Sequence, residues 1–62
     1  MKTKIAVFLK DYECHVVEQT DRAKGTRYKA YGTFDGLSLE AQGSSFNSAL
    51  SRLKQKAEIV LG

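Results

Sequence analysis

Two patterns of apolar residues divide the chain. From Arg27 onward Tyr28, Ala30, Gly32 and Phe34 fall on one side of an extended backbone, while Arg27, Lys29, Tyr31 and Thr33 fall on the other. Past Asp35-Gly36 the alternation resumes, with Leu37, Leu39 and Ala41 opposing Ser38, Glu40 and Gln42. Successive side chains of a strand point to opposite faces, so each run is a strand with one apolar face. Asp-Gly between two such runs is a strong hairpin signal, because a type I′ turn needs positive φ at both central residues. The period then changes. Phe46, Ala49, Leu50, Leu53, Ala57, Val60 and Leu61 follow the i, i+3, i+4, i+7 spacing of a single helical stripe. Ser44 or Ser45 can cap its start and Gly62 its end, and Arg52, Lys54 and Lys56 suit the negative end of its dipole.

Ahead of the hairpin, Ile5, Val7 and Leu9 alternate with Lys4, Ala6, Phe8 and Lys10 and predict a first strand over 4–10. A turn near Lys10-Asp11 leads to a second strand over 12–20, with Tyr12, Cys14 and Val16 opposing Glu13, His15 and Val17. The run from Thr20 to Thr26 is polar with a late glycine and reads as a mobile loop. With strands at 27–34 and 37–42 and a helix at 45–61, the expectation is a single α+β domain over 1–62. Its sheet is a small antiparallel meander of three to four strands, and the amphipathic C-terminal helix packs on one face.

Length sharpens this picture. A chain of 62 residues buries only about 60% of the surface its unfolded form exposes, so the core is thin and one sheet face stays open. Chains of this size without disulfide or metal gain stability by association, which makes a homodimer an expectation. The single cysteine, Cys14, has no intrachain partner and points to a reducing compartment, with the cytoplasm as default. The apolar run Ile5–Leu9 is too short for a signal segment, and no stretch approaches the roughly 20 apolar residues of a membrane span.

The candidate chemistry is sparse. Cys14 beside His15 suggests a thiolate and its base, but neighbours on a strand project to opposite faces and cannot pair. One cysteine and one histidine fall short of a zinc site, and the chain carries neither a phosphate loop nor a G-x-S-x-G elbow. The expectation is therefore a protein with no enzymatic activity, no cofactor and no metal. Formal charge is +3, and its distribution is uneven. Arg22, Lys24, Arg27 and Lys29 cluster around one loop and strand start with Tyr31 interleaved, residue types that hold phosphates and stack on bases. These five are the candidate contact residues. The leading expectation is a nucleic-acid-associated binding module acting through this loop and the open sheet face. The alternative is a protein-interaction module, an inhibitor or self-associating regulator, that uses the same face, where Phe8, Val17 and Tyr31 form an apolar patch.

Gly43-Ser44-Ser45-Phe46-Asn47-Ser48-Ala49-Leu50 carries a glycine at a strand exit, a hydroxyl cap and a small residue early in the helix. Over about 27–61 the chain resembles HicB-like antitoxin domains and the final strands and helix of double-stranded RNA-binding domains. Phe46 and Asn47 stand where the RNA binders place a lysine pair. A similar strand-rich unit with a C-terminal helix occurs in the arm-binding domains of phage integrases. The resemblance implies a compact bacterial or phage module for partner binding, either toxin-neutralising or nucleic-acid-contacting.

Overall fold

The computed structural model describes residues 1–19 and 27–62. Four strands, β1 (Lys2–Val7), β2 (Lys10–Glu18), β3 (Tyr28–Phe34) and β4 (Leu37–Gly43), precede one helix, α1 (Phe46–Leu61). The strands form one antiparallel sheet in the order β1-β2-β3-β4, a meander with α1 on one face. The fold is thus the small α+β architecture that the two periods predict.

The core lies between that face and the helix. Val7, Cys14, Val16, Ala30 and Phe34 from the sheet meet Ala49, Leu53 and Ala57 from α1, all buried. Ile5, Tyr12, Tyr28, Leu39, Phe46 and Leu61 pack around them half-buried. The stripe is narrower than its apolar composition suggests, for Val60 is 45% and Ile59 81% exposed. Ser45 caps α1 by accepting from the Ser48 N–H, and the Gly62 N–H donates to the Glu58 carbonyl. Gly43 has a different role from the free strand exit its position suggests. A Cβ there would stand 2.6 Å from Ala49 N, so only glycine lets the first turn of α1 settle onto the end of β4.

The first hairpin departs from expectation. Its turn is Phe8-Leu9 rather than Lys10-Asp11, closing on the Val7–Lys10 pair, so β1 starts two and ends three residues earlier than predicted and Lys10 and Asp11 belong to β2. Both turn residues have positive φ, 51° and 67°, as do Asp35 and Gly36 in the second hairpin, 51° and 86°. Phenylalanine and leucine have no conformational preference for this region, which costs a side-chain-bearing residue roughly 1–2 kcal/mol. Tertiary contacts select it. Lys10 Nζ and Tyr12 Oη both donate to the Asp35 carboxylate, at 2.9 and 3.0 Å, and Tyr12 lies 5.0 Å from Phe34 by ring centroids. These contacts require Lys10 and Tyr12 inside a strand beside the second turn. Leu9 is consequently fully exposed instead of facing the helix, and Phe8 reaches the C-terminal end of α1 at Gly62 instead of joining the open face.

Candidate functional site

The face of the sheet turned away from α1 is built by the odd residues of β2 and β3 and the even residues of β1 and β4. Strand registers set its rows. Lys2, His15, Tyr31 and Glu40 lie side by side across all four strands; Lys4 pairs with Glu13, and Thr33 with Ser38; Val17, Lys29 and Gln42 form a further row. At the centre His15 and Tyr31 stack, with ring centroids 5.5 Å apart and planes inclined by 22°. Lys29 Nζ sits 6.0 Å from the Tyr31 ring centroid. A shallow groove of about 570 Å³ runs here between Glu13, His15, Tyr31, Thr33, Ser38 and Glu40.

Charge on this face is organised in pairs. Lys2 Nζ lies 3.1 Å from Glu13 Oε2, and Lys29 Nζ lies 2.9 Å from Glu40 Oε2. Each lysine, mainly by its hydrogen bond, holds its partner carboxyl below the ordinary glutamate range. Lys4 makes no ion pair among the described residues, but it adds to the field that lowers Glu13. Within the ladder Lys2, Lys4 and Lys29 thus face Asp11, Glu13 and Glu40, so the face is charge-balanced. Exposed pairs of this kind add little to stability; their consequence is the pattern of alternating sign presented to a partner.

The five predicted contact residues fare unequally. Lys29 and Tyr31 are on the open face as expected, and Tyr31 is 39% exposed. Arg27 lies just before β3, half-buried, where its carbonyl accepts from the Gln19 N–H. Arg22 and Lys24, with all of residues 20–26, lie outside the described residues. Sequence reasoning sets Glu40 beside Lys29 and Tyr31 on this face but misses Lys2, Glu13 and His15 as their neighbours across the same surface. The signal for them is the strand register, which alternation within single strands does not contain.

Cys14 and His15 project to opposite faces, Cys14 into the core and His15 onto the open sheet. Burial pushes the Cys14 thiol up, away from the thiolate a nucleophile needs. Among the described residues no group of three histidine, cysteine or carboxylate side chains is placed to hold a metal ion. Nor is any described helix long and apolar enough to cross a membrane. Comparison with family models, with curated proteins and with solved structures finds no match to this chain.

Proposed function

We propose that the chain is a non-enzymatic binding module that engages a protein partner through its open sheet face. The observation that carries this reading is the charge balance of that face. A surface built for phosphates presents cations in excess, whereas Lys2 and Lys29 are each matched to a carboxylate around an aromatic centre. Carboxylates beside a bound phosphodiester repel it; beside a protein they supply sign complementarity. The stacked His15–Tyr31 pair and exposed Val17 provide apolar contact area within a charged surround, the arrangement of a protein-binding surface with an anchoring centre.

Nucleic-acid contact is the second reading, favoured by one observation: Tyr31 presents an exposed ring on the strand that Arg27 opens, with Lys29 beside it. One experiment separates the two. The tagged chain is incubated with nuclease-treated lysate of its source cells, and the retained proteins are compared with those held by Tyr31→Asp and by Gln55→Asp on the outer helix surface. Retention of a defined protein by wild type and Gln55→Asp but not by Tyr31→Asp is the expected result. Binding of oligonucleotides by the purified chain with a steep salt dependence, and no nuclease-resistant protein partner, would refute it.

A further inference from the structure

The two edges of the sheet are not equivalent. In a two-residue hairpin the closing residues exchange hydrogen bonds, and along an antiparallel ladder such pairs alternate with pairs whose backbone groups point outward. On β4 the outward residues are therefore Ser38, Glu40 and Gln42. Two of their carbonyls are taken by the helix: Arg52 Nη1 donates to Gln42 O at 3.2 Å and Lys56 Nζ to Glu40 O at 2.8 Å. On β1 the outward residues are Lys2, Lys4 and Ala6, and no side chain among the described residues covers their backbone groups. An open row of donors and acceptors is a template for a further strand.

We propose that the β1 edge pairs with the β1 edge of a second copy of this chain, joining two sheets into one of eight strands. The register follows from the residues. A two-fold axis relating two β1 strands must pair outward residues with outward residues. Centred on Thr3 it sets Lys2 against Lys4 of the other copy, and centred on Lys4 it sets Lys4 against itself; both oppose like charges, which is unfavourable. Centred on Ile5 it sets Lys4 against Ala6, and the two Lys4–Ala6 pairs supply four backbone hydrogen bonds. Ile5 meets its own copy, half-buried already on the helix side, and Thr3 meets Val7.

Two further features favour this axis. Ala6 is ladder partner to Asp11, so each Lys4, which makes no ion pair within its own chain among the described residues, points across a small side chain toward a carboxylate of the other copy. In the same register the ladder ends at the Thr3–Val7 pairs, which leaves Met1 and Lys2 of each copy next to the Phe8-Leu9 turn of the other. Met1, Phe8 and Leu9 are 77%, 59% and 105% exposed in the single chain, and pairing covers apolar groups that otherwise face water. It also gives the strained Phe8-Leu9 turn a reason to carry large side chains where Asn-Gly would be relaxed. The seam is short against the roughly 1,200 Å² of a stable interface, so the dimer dissociates, with Kd on the order of 10–100 µM. It sets the two His15–Tyr31 centres on one surface, about 28 Å apart, from four strand spacings across the sheet and six residues along it. The inference does not depend on which partner meets that face.

Sedimentation velocity of the purified chain across this concentration range should show mass rising from one copy to two. Ala6→Pro removes an outward N–H that no intrachain bond uses and should leave a folded monomer. Register is read by cross-linking in a Cys14→Ala background. Ile5→Cys places two thiols at a non-hydrogen-bonded pair, about 4.5 Å apart at Cα and within disulfide range, and should oxidise to a covalent dimer at least tenfold faster than Lys4→Cys. A chain that stays monomeric to 500 µM (roughly ten times the expected Kd), self-association indifferent to Ala6→Pro, or faster coupling at position 4 than at position 5 would each overturn the proposal.

Discussion

Replacing Gly43 by alanine tests how the sheet and helix are joined. The added Cβ would lie 2.6 Å from Ala49 N and 2.9 Å from the Ser48 carbonyl carbon, both backbone atoms with no rotamer to yield. Restoring ordinary contact moves the first turn of α1 outward by about 0.8 Å from the 2.6 Å position. A gap of that size forfeits a quarter to a half of the dispersion attraction of the groups it separates. The groups concerned are Ala49 and Leu53, both wholly buried, and Phe46 beside them. Overpacking in cores costs typically 1–3 kcal/mol, and the entropy that alanine removes from the unfolded chain returns about 0.4–1. The net expectation is a loss of about 1.3 kcal/mol, against a total of roughly 3–9 for a chain this long. Urea unfolding followed by circular dichroism at fixed protein concentration measures it, with a melting temperature lower by about 5–10 °C as the thermal counterpart. Gly36→Ala is the contrasting control. It has open space around its Cβ but φ of +86°, so its cost is conformational and smaller. A Gly43→Ala chain within 0.5 kcal/mol of wild type (less than the usual overpacking cost) would refute the close approach of helix and strand.

Leu9→Gly relieves a left-handed residue whose side chain touches nothing, and should raise monomer stability by about 0.5–1 kcal/mol over Leu9→Ala, which keeps the strain; equal melts would argue against the positive φ. Asp35, Glu13 and Glu40 are all held below their ordinary values of 3.8 and 4.5 by hydrogen-bonded lysines, with Tyr12 also donating to Asp35. Carboxyls with depressed folded values stabilise fully above the ordinary values and lose that contribution as pH falls through the folded ones. Melting temperature should therefore be flat above about pH 5 and decline below it, and Asp35→Asn should shallow that decline. Cys14 is wholly buried with its thiol raised, so a thiol reagent at neutral pH should label native protein at the rate of unfolding and denatured protein at once.

Much of the fold is legible because its local signals agree with its packing. Asp35-Gly36 is a turn by chemistry and by contact, and the Ser45 cap and the Ala49, Leu53, Ala57 stripe place α1 within a residue of its observed start. The first hairpin is not legible, because neither Phe8 nor Leu9 carries turn chemistry and the alternation runs through them without interruption. Its position is decided by Lys10 and Tyr12 reaching Asp35 from 25 and 23 residues away. That two-residue error propagates to the site. A turn at Lys10-Asp11 would set Lys4 beside Val17 rather than Glu13, and the ion-paired rows of the open face would not assemble. Lys29 and Tyr31 are legible as open-face residues because their face depends only on the period of two within β3. The balance of charge around them depends on register across four strands.

The central claim is that the open face meets a protein. Its most direct measurement is the amide spectrum of isotopically labelled chain with the retained partner added. The account predicts shifts concentrated at Glu13, His15, Lys29, Tyr31, Thr33 and Glu40, with Lys54, Gln55 and Glu58 unmoved. Shifts concentrated on the outer surface of α1, with the sheet rows unchanged, would contradict it.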